Sequence, residues 1–242
     1  MPELLSPAGN FEKMKAAIRY GADAVYLAGK RFGMRSAAEN FTDDELAEAI
    51  AYAHSFGRKV HITVNTLPRT NEYPALREYF EFLGTVKPDA LIIADAGVFA
   101  LAREVLPETE IHVSTQAGIV SAADCLFWRS LGAKRAVLAR ELSLDEIIEI
   151  RRNVPDDFEI ETFVHGSMCV SFSGRCLLSN ALTGRDGNRG SCAQPCRWSY
   201  TISEEKRKDS PMPIEETPDG TFIMSSKDLC MIEHIPELIR AG

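Results

Sequence analysis

Short apolar runs alternate with amphipathic stretches from the first residues onward. Glu3–Ser6, Asp23–Leu27, Val60–Val64, Ala90–Ala94, Ile111–Ser114, Arg135–Ala139 and Phe158–Val164 read as seven strands. Between them lie helical patterns: Asn10 to about Tyr20, Asp43–Phe56, a stretch within Tyr73–Gly84, Gly97–Val105, Ser121–Leu131, and Ser143 to Arg152. Asn10, Thr42 and Ser143 are placed to cap their helices. Thr42 through Glu45 has the form of a capping box, in which two side chains each accept the other residue's backbone N–H. Gly21, Gly57 and Gly132 follow helices and soon precede strands. Leu91-Ile92-Ile93-Ala94 is apolar throughout, as expected of a strand covered on both faces. This order predicts an α/β fold with a parallel sheet; a TIM-type (β/α)8 barrel fits best and a doubly wound open sheet second.

After the seventh strand the pattern changes. Residues 167–198 are polar, glycine-rich and hold four of the six cysteines, too irregular for a core element. A loop of this length in a compact domain is usually functional. Residues 199–225 read as a hairpin insertion, Ser199–Ser203 and Thr221–Met224 joined by the charged, proline-rich stretch Glu204–Gly220. Leu229–Arg240 reads as a final helix ending at Ala241-Gly242, the motif that elsewhere precedes a strand. The expectation is a single barrel domain over 1–242, its seven strands and their helices in 1–166 and its final helix in 226–242. The eighth strand would be missing unless Thr221–Met224 supplies it, and the chain would be cut from a longer protein.

Charge narrows the function. A net charge of −8 argues against a broad nucleic-acid-binding face. Arg175, Arg185, Arg189 and Arg197 nevertheless form a basic island within the cysteine segment. Solvated loop arginines and a site for RNA phosphate or another anion stand as equal readings. No signal peptide and no membrane span is expected, since no apolar run reaches the roughly 18–20 residues a bilayer needs. A cytoplasmic location follows, where thiols stay reduced and clustered cysteines point to metal rather than disulfides.

The cysteines are spaced Cys169-x6-Cys176-x15-Cys192-x3-Cys196, with Cys230 beyond 33 further residues. Only the Cys192/Cys196 pair has zinc-knuckle spacing. Irregular spacing with five candidates suits an iron–sulfur cluster held by four thiolates better than zinc, which remains the alternative. Unligated buried cysteines are the third reading, and Cys125 belongs to the core.

In barrels, chemistry collects at the C-terminal strand ends. Those ends gather Asn65, Asp95, Thr115, Gln116, Arg140, Glu141 and His165, with Tyr26 and Arg35 near strand two. Glu161 joins them if its side chain points into the barrel. Glu161 and His165 are the candidate catalytic residues. Tyr26, Arg35, Asn65, Gln116, Arg140, Arg175 and Arg189 are the candidate substrate-binding residues. His61 and His112 read as core histidines satisfied by backbone carbonyls, and His54 and His234 as surface residues. Neither a Gly-x-Ser-x-Gly elbow nor a His-Glu-x-x-His helix occurs. His165 and Cys169 could form a base–nucleophile pair.

Several stretches resemble the peptidase U32 family, also called collagenase-like proteases. They are Leu-Leu-Ser-Pro-Ala-Gly (4–9), Gly-Ala-Asp-Ala-Val-Tyr-Leu (21–27) and Glu-Thr-Phe-Val-His-Gly-Ser-Met-Cys through Cys-Leu-Leu-Ser-Asn (161–180). Asn-Arg-Gly-Ser-Cys-Ala-Gln-Pro-Cys-Arg-Trp (188–198) and Ser-Lys-Asp-Leu-Cys (226–230) complete the set. The resemblance implies a TIM-type barrel and, in several members, a 4Fe–4S cluster. It implies Cys169, Cys176, Cys192 and Cys230 as ligands, with Cys196 competing for the fourth place. Such members support hydroxylation of a tRNA uridine, a ribosomal RNA cytidine or a ubiquinone precursor, with prephenate implicated as co-substrate. Three expectations result: an iron–sulfur factor in RNA-base hydroxylation, a peptidase acting on collagen-like peptides, or a cluster carrier needing a protein partner.

Overall fold

The computed structural model describes residues 2–34, 39–198, 201–202, 212–213 and 228–242. Seven parallel strands, β1 (Leu5–Pro7), β2 (Ala24–Leu27), β3 (Lys59–Val64), β4 (Ala90–Ile93), β5 (Glu110–Val113), β6 (Arg135–Val137) and β7 (Glu159–Glu161), pair in sequence order. Helices α1 (Phe11–Arg19), α2 (Asp43–Ser55), α3 (Tyr73–Val86), α4 (Ala96–Val105), α5 (Ala122–Ser130) and α6 (Leu144–Arg152) alternate with them. Local chemistry sets where the helices begin. Thr42 Oγ1 accepts the Glu45 N–H at 3.2 Å, while Glu45 accepts the Thr42 N–H at 2.7 Å. Ser143 and Glu146 build the same box at the start of α6. The Asp95 carboxylate accepts the Gly97 and Val98 N–H groups and so opens α4.

Alternation along the strands assigns their two faces. Val25, Leu27, Val60, Ile62, Val64, Leu91, Ile93, Ile111, Val113 and Ala136 join the main core with Met14, Leu46, Leu76, Phe80 and Phe99 from the helices. The opposite face carries Tyr26, Lys59, His61, Thr63, His112, Arg135, Glu159 and Glu161, set side by side by the strand register. That second face is the inside of a curl. Arg135 on β6 donates to Glu3 beside β1 at 2.8 Å, although β1 and β6 are far apart in the sheet order. The same guanidinium holds Glu159 at 2.6 Å and Glu161 at 3.0 Å, and Lys59 on β3 reaches Glu3 at 3.0 Å. Side chains thus tie both margins of the sheet into a curled half-barrel. The barrel expectation is met in its strands, helices and curvature, and β1 and β7 are not hydrogen-bonded to each other.

The two core histidines differ from expectation. His61 and His112 are buried and stack edge to face at 4.7 Å, but no carbonyl or other hydrogen-bond partner among the described residues satisfies His61 Nδ1 or either nitrogen of His112. Both lie on the inward face, where neighbouring backbone groups are committed to the strand ladder and the nearest side chains are each other and the charged layer. Glu110 lies 3.5 Å from His112 Nε2, too far for a good hydrogen bond.

The chain beyond β7 also departs from the expected order. β7 ends at Glu161 rather than continuing to Val164, because the next residues turn to a different partner. β8 (His165–Gly166) pairs antiparallel with β11 (Leu229–Cys230), and the Met231 N–H reaches the Val164 carbonyl at 2.7 Å. The final helix is correspondingly shorter: α8 (Ile235–Ala241) has Pro236 in its first turn, the position where a missing N–H costs nothing. It packs against α6. Thr201–Ile202 (β9), in the first strand of the expected hairpin, pairs antiparallel with Met212–Pro213 (β10), which lies in the stretch expected to be its connection. The expected strand Thr221–Met224 lies outside the described residues. No helix among the described residues is long and apolar enough to cross a membrane.

Candidate functional site

The cysteine-rich loop lies across the C-terminal ends of the strands, held there by contacts from several of them. The Leu67 N–H, just past β3, donates to the Asn188 carbonyl at 3.2 Å. Arg189 pairs with Glu72, at the start of α3, at 2.9 Å. Arg140, just past β6, donates to the Ser167 carbonyl at 2.7 Å and lies over the Phe163 ring. The next residue, Glu141, accepts both the N–H and the hydroxyl of Ser173. The turn Phe172–Gly174 rests on the turn Thr115–Ala117 that follows β5.

Within the loop each cysteine sulfur is met by peptide N–H groups. Cys169 Sγ accepts from Ser171 N at 3.4 Å and Cys192 Sγ from Gln194 N at 3.3 Å. Burial raises the Cys176 thiol pKa, but the Ser171 hydroxyl and the Ser179 and Leu178 N–H groups more than offset it, leaving it below the usual thiol value. Donors of this kind stabilise a thiolate, the form that binds metal. Burial and the nearby Cys169 and Cys192 sulfurs hold Cys196 above the usual thiol range, against the Val170 N–H. Asn188 clamps Cys176 from both sides, its Oδ1 accepting the Cys176 N–H and its Nδ2 donating to the Cys176 carbonyl. The short helix α7 (Leu178–Thr183) supports this arrangement through Ser179, whose hydroxyl accepts the Ala193 N–H and donates to the Arg185 carbonyl.

This donor chemistry fits a thiolate-ligated iron or zinc centre. The sulfurs do not converge on one coordination sphere: among the described residues no group of three or more His, Cys, Asp or Glu side chains is close enough to hold a metal ion. Cys230 is exposed and sits opposite His165 in the β8–β11 ladder, whereas Cys196 lies within electrostatic range of Cys169 and Cys192.

The strand-end candidates divide by what they touch. Asn65 Oδ1 accepts the Met34 N–H at 3.0 Å and so organises the loop after β2. Tyr26 lies on the inward face of β2 beside His61. Gln116 Oε1 and Arg140 Nε are buried without partners among the described residues, an acceptor and a donor at adjoining strand ends. Arg189 is committed to Glu72, while Arg175 is exposed. Arg35 lies outside the described residues. Glu161 does point inward, but Arg135 engages it, burial raising its pKa against the pull of that guanidinium. His165 is exposed, and no hydrogen bond or ion pair among the described residues joins it to Glu161. The structure adds Ser173 and Asn188 to the candidates and gives Glu141, already among the strand-end residues, its partner in Ser173.

The sequence profile of peptidase family U32 matches residues 9–242. The chain belongs to peptidase family U32. It is 43% identical over 241 residues to tRNA hydroxylation protein P1 of Bacillus subtilis, covering all of this chain and 56% of that protein. It is 41% identical over 240 residues to the 23S rRNA 5-hydroxycytidine C2501 synthase of Escherichia coli, covering 99% of this chain and 35% of the synthase. An uncharacterized protease of Methanocaldococcus jannaschii is 43% identical over 242 residues, covering 99% of this chain and 58% of that protein. The chain therefore spans little more than half the length of these tRNA hydroxylation and protease relatives. The solved structure of a U32 peptidase superposes with a TM-score of 0.57 at 16% identity, over 69% of this chain and 70% of that one, and supports the fold.

Proposed function

We propose that this U32 protein is an iron–sulfur factor in the hydroxylation of an RNA pyrimidine, of the tRNA uridine type. The observation that carries the proposal is the loop of thiols, each met by peptide N–H donors and fastened over the strand ends where barrel enzymes keep their chemistry. Relatives named for tRNA and rRNA hydroxylation, similar over this whole region, favour RNA as substrate.

Cys169, Cys176 and Cys192 would hold a 4Fe–4S cluster, with Cys230 or Cys196 as the fourth ligand. Bound there, the cluster would supply one-electron redox chemistry. The protein's own groups do the rest. The N–H groups of Ser171, Leu178, Ser179 and Gln194 donate to the cysteine sulfurs that would face the group. Gln116 Oε1 and Arg140 Nε offer a buried acceptor and donor that a base edge could satisfy together, and the Arg140 donor could also meet a small carboxylate such as prephenate. Exposed Arg175 is available to backbone phosphate. Peptidase chemistry is less favoured: His165 sits exposed in a strand ladder, and Cys169 Sγ is engaged by the Ser171 N–H.

Nucleoside analysis of RNA from cells lacking the gene tests the proposal. A pyrimidine nucleoside carrying one additional oxygen should disappear, return with the full-length wild-type gene, and stay absent with Cys176→Ala. An unchanged nucleoside profile, with gelatin cleaved by the purified protein, would replace this reading with the peptidase one.

A further inference from the structure

Ser173, in the cysteine-rich loop, is held through both its backbone and its side chain. Its backbone lies at φ 31°, ψ 52°, a left-handed conformation costly to any residue but glycine. It is also buried, with only 1% of its surface exposed. One carboxylate meets both of its polar groups: Glu141 Oε1 accepts the N–H at 2.7 Å and Oε2 accepts the hydroxyl at 2.5 Å. The neighbouring residue carries that constraint to the thiols. Ser171 donates its N–H to Cys169 Sγ and its hydroxyl to Cys176 Sγ, so the Phe172–Gly174 turn lies between two cysteines already joined through Ser171.

We infer that Glu141 is a positioning residue, which pins the strained Ser173 turn to the end of β6 and thereby fixes Cys169 and Cys176 relative to each other. Its role toward an iron–sulfur group rests on the function proposed above; its role in holding the thiols does not. The Glu141 carboxylate touches no sulfur in the described contacts and acts through Ser173.

The test uses full-length protein, first as reduced apoprotein. Cys176 is buried and Cys169 partly buried, and a covered thiol is alkylated faster when its surroundings open, so the labelling rate reports local opening. Glu141→Ala should raise iodoacetamide labelling of Cys169 and Cys176 about tenfold at constant pH, leaving Cys125 labelling and the melting temperature close to wild type. Adding Ser173→Gly should reverse most of that gain, because glycine adopts the left-handed backbone without a carboxylate to hold it. In iron-loaded protein, Glu141→Ala should speed iron loss to a chelator, and the double variant should slow it again.

Unchanged labelling in Glu141→Ala would overturn the inference, as would failure of Ser173→Gly to restore slow labelling. Equal acceleration at Cys125 would overturn it too, by showing global loosening. If the wild-type protein takes up no iron, the cluster reading fails, while the labelling comparison still decides the role of Glu141.

Discussion

Arg135→Met should destabilise the protein by about 3–5 kcal/mol near neutral pH, the range for removing one partner from a buried ion cluster. Arg135 is only 8% exposed and is the cation to which Glu3, Glu159 and Glu161 all turn. A methionine fills similar volume but leaves Glu3 with Lys59 alone and Glu161 with no cation partner among the described residues. Those carboxylates can take up protons, and burial already raises the pKa of Glu161. The loss should therefore be largest at neutral pH and shrink as the medium becomes more acidic. Arg135→Lys keeps the charge without the fork that reaches several carboxylates at once, and should fall between. Urea unfolding at two pH values reads both effects. A loss under about 1 kcal/mol for Arg135→Met would mean that the cluster does not hold the margins of the half-barrel together.

Acid should weaken the fold well before the carboxylates are protonated. Burial, with the nearby Arg135 charge adding to it, holds His61 at a pKa of about 4 and His112 at about 2. Both are depressed below the unfolded value of 6.5, so each imidazole is neutral in the fold and protonates readily only on unfolding. Their contribution is fully present above about pH 6.5 and is lost as pH falls through that value toward the folded ones. By about pH 5 each buried imidazole should have given up about 2 kcal/mol relative to neutral pH, from about 1.4 kcal/mol per pH unit below the unfolded pKa. His112→Asn should remove about half of that pH dependence. Stability that stays flat between about pH 7 and about pH 5 would show that the two imidazoles are not held neutral.

The parts legible in the sequence are those governed by neighbours along the chain. The strand–helix order, the capping boxes at Thr42 and Ser143 and the Asn10 cap all depend on residues within a few positions of one another. The inward charged layer is visible in principle, since Lys59-Val-His61-Ile-Thr63, Glu110-Ile-His112 and Glu159-Ile-Glu161 all alternate polar with apolar. Knowing that these polar positions converge requires the register and the curl. The same holds for Glu141 and Ser173, 32 residues apart, and for Arg189 and Glu72, 117 apart. No local signal announces such pairs. Leu229–Cys230 reads as helix because its apolar pattern continues into α8; its backbone instead finds partners in His165–Gly166, a choice made by tertiary contact.

That same docking bears on the site. Spacing leaves five candidate cysteines, and the family resemblance leaves Cys196 and Cys230 as rivals for the fourth place. Cys196 lies within electrostatic range of Cys169 and Cys192, and Cys230 sits in the ladder opposite His165. Iron, sulfide and zinc analysis of the anaerobically purified full-length protein, with its absorption spectrum, tests the iron–sulfur reading directly. About four irons and four sulfides per chain are expected in the wild type, lost in Cys176→Ala, with Cys196→Ala and Cys230→Ala showing which supplies the fourth ligand. One zinc and no iron, unchanged by Cys176→Ala, would contradict it.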